Sequence, residues 1–361
     1  MRYYKLLTYT LLFVICASCT ESNKTANIIR LASNDNYAFD ICIDTLNMIE
    51  LETDSASILS SIGNVEKLNH NYCVQSSDIY LKVFDANGKY QFSISKIGRG
   101  ANELSKISNF FINEGEICVW DNVNGLFHYN SNGEFLRKEK IEDGALQKCL
   151  TSPSKLYPFQ DGYISVNSNL GGSDLKAPAL SKWNKSLSKV STIPNVTRNS
   201  GLFTYDGFQS IKDSILYWEP YSDTIYTVVN GVATIEYILD MGEYTLPSEL
   251  VNAVEKIQYI NDTYKGKSFI GLPQFFQKYN NRLYFTCVYP VNEKENEYCL
   301  CEYDSNSNKT RIARFYSRKK KAIQAFCKII NDNIILEVRD TEHISKNPIL
   351  LDEKISNIFK L

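Results

Sequence analysis

The chain has 361 residues, of which 43% are hydrophobic and 22% charged, and its formal net charge is −2. This composition excludes a disordered or collagen-like chain, and the near-neutral charge argues against a nucleic-acid-binding protein, since the one strong basic run is RKKK at 318–321. Eight of the ten cysteines lie beyond residue 19, and neither they nor the three histidines follow metal-ligand spacing. We therefore predict no metal site, no cofactor and no nucleic-acid partner.

The first residues of the chain carry an export signal. Arg2 and Lys5 precede an apolar run over 6–17, which is the pattern of a basic n-region and a short h-region. The alternative, a transmembrane anchor, needs about 20 residues to cross the bilayer. The run ends in CASC at 16–19, which resembles a bacterial lipobox and implies cleavage before Cys19 and lipidation of its sulfur.

This resemblance also indicates where the protein resides. In Gram-negative lipoproteins an Asp after the lipidated cysteine favours retention in the inner membrane, whereas this chain has Thr20. We therefore predict an outer-membrane lipoprotein, on either the periplasmic or the cell-surface face, held by two or more acyl chains. The predicted organisation is a signal peptide at 1–18, a lipidated tether at 19–27 and one domain at 28–361.

The domain is predicted to consist of β-strands in repeated units. VFDANGKY at 83–90 is echoed 45 residues later by HYNSNGEF at 128–135, and Asn-Gly favours a tight hairpin turn with positive φ at both residues. Two such hairpins at this period indicate four-stranded blades. A degenerate third copy lies at 299–315, where SNSNK replaces the Asn-Gly turn.

Further strand clusters bring the total to about six units. They lie near 162–167 and 179–185, near 214–217 and 224–229, and near 329–339. A radial arrangement protects the strand edges, so we predict an all-β, six-bladed β-propeller in which N-terminal strands at 39–52 complete the last blade. One short helical insertion is predicted near 247–260. A β-sandwich, or two small β-domains, is the alternative fold.

Several motifs resemble a known family. The segment at 96–135 is similar to one repeat of NHL-type propellers, and the whole chain resembles the six-bladed propeller lipoproteins of Gram-negative anaerobes. The motifs are GRGANE at 98–103, where the family usually has Pro-Gly in place of Ala101-Asn102, DTIY at 223–226 and DMGEYTLP at 240–247. The resemblance implies fold and envelope location but no biochemical activity.

No catalytic constellation is evident, and we assign no catalytic residue. His70, His128 and His343 lie far apart, and neither HExxH nor GxSxG occurs. One candidate ligand-binding segment combines aromatic rings with carboxylates, as sugar and peptide sites do; its residues are Trp218, Glu219, Tyr221 and Asp223. A second candidate pairs Arg99 with Glu103. The alternative is that the first segment supplies only blade core and an inter-strand loop.

The sequence therefore favours a monomeric, lipid-anchored propeller that binds a glycan, a peptide or an envelope protein without catalysis. One alternative is a propeller enzyme, a lyase or hydrolase acting on glycans or peptides, because blades can gather catalytic groups that no linear motif reveals. A second alternative is a structural subunit of an envelope complex.

Overall fold

The computed structural model confirms the six-bladed propeller, which has one antiparallel sheet per blade. It describes residues 26–31, 36–59, 62–76, 80–95, 97–98, 100, 102–142, 152–168, 177–193, 197–198, 207–211, 213–218, 223–242, 275–290, 296–318, 322–340 and 347–359. The predicted helix near 247–260 lies outside these residues.

The chain begins with a segment that we call the N-terminal strap. It comprises β1 (Asn27–Arg30), β2 (Tyr37–Cys42), a 3₁₀ turn (Ile43–Thr45) and β3 (Met48–Glu50). Blade 1 follows as β4 (Asn64–Leu68), β5 (Asn71–Ser76), β6 (Tyr80–Phe84) and β7 (Tyr90–Ile94). Blade 2 is β8 (Asn109–Asn113), β9 (Glu116–Asp121), β10 (Gly125–Tyr129) and β11 (Phe135–Glu139).

Blade 3 has a short extra strand pair beside its four-stranded sheet. The strands are β12 (Ser152–Phe159), β13 (Gly162–Ser168), β14 (Ala177–Pro178), β15 (Leu180–Asn184), β16 (Val190–Thr192) and β17 (Thr197–Arg198), with β14 paired to β17 outside the main sheet. Blade 4 is β18 (Gly207–Ile211), β19 (Ser214–Trp218), β20 (Thr224–Val229) and β21 (Val232–Asp240).

The last two blades contain longer strands. Blade 5 is β22 (Phe276–Tyr279), β23 (Arg282–Pro290), β24 (Asn296–Asp304) and β25 (Lys309–Tyr316). Blade 6 is β26 (Ala322–Ile330), β27 (Asn333–Asp340), β28 (Ile349–Lys354) and β3, followed by the helix α1 (Ile355–Ile358). No helix among the described residues is long and apolar enough to cross a bilayer.

The two echoed hairpins pair as predicted, but their turn type differs from the prediction. Gly88 and Gly133 have positive φ (82° and 80°), whereas the asparagine before each does not. The N–H of Gly88 donates to the carbonyl of Asp85, and Asp85 Oδ1 accepts from the amides of Asn87 and Lys89. Each turn is therefore a type I turn followed by a glycine in the left-handed conformation. The side chain of Asp85 in the first turn, and of Asn130 in the second, stabilises it by accepting hydrogen bonds from the turn amides.

The N-terminal strap closes the ring, although differently from the prediction in one respect. β3 pairs antiparallel with β28 and completes blade 6, as predicted for part of 39–52. β2 pairs in parallel with β25 on the outer edge of blade 5, and β1 pairs in parallel with β21 on blade 4. The prediction that this whole segment joins the last blade was therefore wrong for β2. An alternating strand can cover any exposed edge, and the pattern does not say which one.

Side-chain amides connect the innermost strands of successive blades. Asn109 Nδ2 donates to the carbonyl of Leu156 (2.7 Å) and its Oδ1 accepts from the Leu156 amide (2.9 Å), which joins blade 2 to blade 3. Gln209 and Gln277 form the same paired hydrogen bonds to blades 5 and 6. We call these three residues the amide clamps. They satisfy backbone groups that an inner edge strand would otherwise leave unpaired.

The antiparallel order gives the ring two distinct faces. One face carries the turn between the first two strands and the turn between the last two strands of each blade, and we call it the hairpin face. The other carries the connections between the second and third strands and between blades, and we call it the connection face. The hydrophobic core lies between adjacent sheets, as where Trp120 and Trp183 pack at the boundary of blades 2 and 3.

Candidate functional site

A large cleft opens on the hairpin face between blades 5 and 6, and we call it the blade 5–6 cleft. Its volume is about 970 Å³, near the upper end of the range for small-molecule sites. Its walls come from the first hairpins of the two blades, from β24 and β25 of blade 5, and from the end of β28 with helix α1. The lining residues are Tyr279, Asn280, Arg282, Tyr284, Glu302, Arg311, Asp332, Lys354, Ile355, Ser356 and Phe359.

A buried carboxylate lies at the base of the cleft. Glu302 is 2% exposed, and it accepts hydrogen bonds from Arg282 Nη1 (3.0 Å), Tyr284 Oη (2.8 Å) and Arg311 Nε (2.7 Å). Burial, and then the neighbouring Glu302 carboxylate, raise the pKa of Tyr284, so its phenol remains a donor. A buried charge needs such partners, and this network fixes both guanidinium groups at the floor of the cleft.

The upper wall combines aromatic rings with polar groups. The guanidinium of Arg311 lies 5.1 Å from the centroid of the Phe359 ring, within the range of a cation–π contact. Tyr279 Oη donates to Asp332 Oδ1 at 3.1 Å, joining the first hairpins of blades 5 and 6. Lys354 lies exposed at the end of β28.

The charges of the lining residues favour an anionic ligand. Three cations, on Arg282, Arg311 and Lys354, outnumber the two carboxylates of Glu302 and Asp332. Guanidinium groups held in place recognise carboxylates and phosphates well, and the aromatic rings can cover an apolar face of the same molecule.

A second polar cluster lies inside the boundary of blades 2 and 3. Glu116 and Cys118 on β9 and His128 on β10 place their ligand atoms within 4.8 Å of one another. Sequence spacing did not reveal this cluster. Glu116 is half-buried, and it pairs with Arg137 at 2.6 Å and with His128 at 2.9 Å.

Comparison with known proteins places the chain in a family. A family model described as "Domain of unknown function (DUF4934)" matches residues 26–359. The chain belongs to the DUF4934 family. A comparison with the curated proteins found no match.

One solved structure shows the same architecture as this DUF4934 propeller. A Bacteroides fragilis protein named "putative exported protein" has a TM-score of 0.61 at 18% identity, over 90% of this chain and 98% of that chain. YCF48 bound to D1 peptide gives a TM-score of 0.46 at 10% identity, over 88% of this chain and 97% of that one. At 18% identity the likeness to the Bacteroides fragilis protein shows the fold alone.

The DUF4934 structure describes three of the sequence-predicted binding residues, Glu103, Trp218 and Asp223, and all three lie on its connection face. Glu103 accepts a hydrogen bond from the amide of Gly100 at 2.7 Å, which orders the link between blades 1 and 2. Trp218 is 2% exposed and packs 5.5 Å from Phe276, and Asp223 is exposed beside Thr224. Arg99, Glu219, Tyr221 and Cys19 lie outside the described residues. None of the three described candidates, Glu103, Trp218 and Asp223, lines the blade 5–6 cleft.

Six cysteines are free thiols, namely Cys42, Cys73, Cys118, Cys287, Cys299 and Cys301. Cys287 Sγ and Cys301 Sγ are 3.2 Å apart inside blade 5, and burial raises the pKa of Cys287. Burial also raises the pKa of Cys73 and of Cys118 to about 12. Burial therefore disfavours the thiolate form of these three cysteines.

Proposed function

We propose that this DUF4934 protein is an exported, lipid-anchored propeller that binds a small anionic ligand in the blade 5–6 cleft without catalysis. The observation that carries the proposal is the cleft itself, whose volume is about 970 Å³ and whose lining combines three cations with aromatic rings. The ligand class is a molecule bearing a carboxylate beside an apolar face, as found in acidic sugars and at peptide C-termini.

The arrangement of the charged groups supports binding over acid–base catalysis. A general acid or base must be free to exchange a proton with the substrate. Glu302 is held by two guanidinium groups and a phenol, and Asp332 accepts from Tyr279. Each described carboxylate of the cleft thus already has a partner, which suits a rigid recognition surface.

The export and anchoring parts of the proposal rest on the N-terminal sequence. The apolar run and the CASC motif support cleavage before Cys19 and lipidation, and the similar Bacteroides fragilis protein is named as exported. Thr20 supports the outer membrane as the destination. Mass spectrometry of the native protein should find a diacylglyceryl group on an N-terminal Cys19, and an uncut, unmodified N-terminus would refute this part.

The ligand proposal is tested with the soluble chain from Glu21 onward, which contains every described residue. Glucuronate oligosaccharides and short peptides with free C-termini are compared with neutral oligosaccharides and the amidated peptides. Binding should raise the melting temperature, since a ligand at a hundredfold excess over its Kd stabilises by about 2.7 kcal/mol. The probe class that raises the melting temperature more, acidic oligosaccharide or peptide, identifies which molecule supplies the carboxylate.

Substitutions of cleft residues test whether the ligand binds in the blade 5–6 cleft. Lys354→Ala and Tyr279→Ala should each weaken binding of the effective anionic probe by about tenfold or more, since one charge-assisted hydrogen bond contributes ~1.5–3 kcal/mol. Lys309→Ala is the matched control, because Lys309 is an exposed lysine on the same face that does not line the cleft. Equal binding by all three variants, or no response to any anionic probe, would refute the proposal.

A further inference from the structure

Three side chains at the boundary of blades 2 and 3 present different metal-binding atoms to one point. His128 lies directly opposite Cys118 in the β9–β10 register, and Glu116 is two residues before Cys118 on the same face of β9. His128 Nδ1 lies 2.9 Å from Glu116 Oε2 and 3.5 Å from Cys118 Sγ. Ligand atoms around one tetrahedral ion have similar separations, because the metal bonds themselves are about 2.0–2.3 Å long.

The neighbouring side chains hold these donors in orientation. Arg137 Nη1 donates to the other oxygen of Glu116, Oε1, at 2.6 Å and leaves Oε2 facing His128. His128 is 1% exposed, and its Nε2 lies 3.2 Å from Glu139 Oε1, without an aligned hydrogen bond to any described residue. Tyr163 of blade 3 donates to the second oxygen of Glu139 at 3.2 Å. A carboxylate behind the outer nitrogen of a histidine is the usual second layer of a zinc site.

The repeat shows that the fold does not require this polar set. At the 45-residue offset, blade 1 has Cys73 at the place of Cys118, but its other counterparts are Asn71, Val83, Phe92 and Ile94. Cys73 packs in an apolar cluster. Blade 1 therefore reaches the same architecture with mostly apolar residues, whereas blade 2 buries a histidine and carboxylates at a cost in desolvation.

We infer that Glu116, Cys118 and His128 form a binding site for a zinc-class divalent cation, with Glu139 and Arg137 as positioning residues. A thiolate, an imidazole and a carboxylate together suit borderline-soft Zn²⁺ better than Ca²⁺ or Mg²⁺, which prefer oxygen ligands. The fourth coordination position remains for water, on the side where Glu116 and Arg137 are partly exposed.

Binding of the metal ion releases protons from its ligands to solvent. The Cys118 thiol releases its proton to solvent and becomes the thiolate ligand, while His128 binds through the lone pair of Nδ1 and keeps a proton on Nε2 toward Glu139. Both ring nitrogens face carboxylate oxygens, Glu116 Oε2 and Glu139 Oε1, so metal binding at Nδ1 displaces any proton carried there. Arg137, Tyr163 and the two glutamates are the other titratable groups facing the site, and they keep their charge states.

The test is a cobalt titration of the metal-free, reduced chain from Glu21 onward, because Co²⁺ at a thiolate gives an intense near-ultraviolet charge-transfer band. We expect saturation at one ion per chain and competition by Zn²⁺. The Cys118→Ser variant should lose the band, and His128→Val should weaken binding at least tenfold. Glu139→Ile should keep the band and lose roughly 10–100-fold in affinity.

The controls come from the repeat. His128→Val and Glu139→Ile install the residues of blade 1, so both variants should fold, which circular dichroism verifies. Cys73→Ser removes a buried cysteine at the equivalent place and should leave the cobalt band unchanged. A wild-type chain without the band, a band that survives in Cys118→Ser, or one that Cys73→Ser abolishes would each overturn the inference. The blade 5–6 cleft is a separate site, so its proposal does not depend on this result.

Discussion

The amide clamp between blades 2 and 3 offers a sharp test of what holds the ring together. Asn109 is 3% exposed, and its amide forms two hydrogen bonds with the backbone of Leu156 in the next blade. Asn109→Leu keeps a side chain of similar size but removes both bonds. The Leu156 residue is itself fully buried, at 0% exposure, so water cannot replace the lost partners.

The expected loss follows from those two orphaned groups. A buried donor or acceptor without a partner costs about 1–3 kcal/mol, so the N–H and C=O of Leu156 together predict a loss of about 2–6 kcal/mol in the free energy of unfolding. That is a substantial part of the ~5–15 kcal/mol by which folded domains are usually stable. Solvent-exposed hydrogen bonds lost in the same way would cost far less.

Urea unfolding followed by tryptophan fluorescence measures the effect at the affected boundary. Trp120 and Trp183, two of the three tryptophans, pack between blades 2 and 3. Asn109→Asp adds a second readout, because its carboxylate would face the Leu156 carbonyl and its folded-state pKa would be raised. Its stability should therefore improve as the pH falls and the carboxyl becomes a donor, whereas Asn109→Leu should gain nothing from acid.

An exposed asparagine provides the control. Asn306 lies in the last turn of blade 5, and Asn306→Leu should change stability by no more than ~0.5 kcal/mol. If Asn109→Leu is equally harmless, the amide clamps do not hold the blades together and apolar packing between the sheets is sufficient.

Two further predictions concern turns and pH. Gly88 and Gly115 have nearly the same φ (82° and 80°), but an added Cβ at Gly88 would lie 2.2 Å from the Glu50 carbonyl, whereas Gly115 has open space. Gly88→Ala should therefore lower the melting temperature more than Gly115→Ala, for which only the left-handed backbone conformation costs ~1–2 kcal/mol. Equal decreases in melting temperature would contradict a clash between the added Cβ and the Glu50 carbonyl. Burial opposes ionisation of Asp121, but hydrogen bonds from Ser105 and Val123 outweigh it and lower its pKa from 3.8. The folded state then binds this proton less readily than the unfolded state, so this part of the stability is present above pH 3.8 and is lost as the pH falls through the lower folded-state pKa. In Asp121→Asn the urea midpoint of unfolding should depend less on pH in that acidic range than in the wild type. The same pH dependence in both proteins would refute the contribution of Asp121.

Local patterns predicted the blades because each blade is a local structure. The pairing of β6 with β7 and of β10 with β11 follows from alternating residues around a turn, and this held in the degenerate third copy, where Asn308 takes the positive φ (53°) in place of a glycine. The turn type was missed because Asp85 and Asn130 bond to the turn amides and favour a type I geometry over the primed turn expected from Asn-Gly alone.

The candidate sites were harder to predict because distant segments build them. The blade 5–6 cleft joins residues from Tyr279 to Phe359, and no local spacing relates them. The blade 2 cluster did leave a signal in the repeat itself, where Val83 and Ile94 of blade 1 give way to His128 and Glu139 of blade 2. Polar residues at positions where another repeat has apolar ones mark a candidate site, and the 45-residue offset brings these positions into correspondence.

The N-terminal strap has a consequence for how the molecule acquires its structure. Residues 27–50 are synthesised before any blade, yet the strands they pair with lie in the second half of the chain, ending with Ile349–Lys354. Contacts between such remote segments form slowly, because a long loop must close before they are gained. Each strand of the strap must therefore remain unpaired until its partner has been made: β1 until blade 4, β2 until blade 5 and β3 until blade 6. Only the last of these pairings closes the ring.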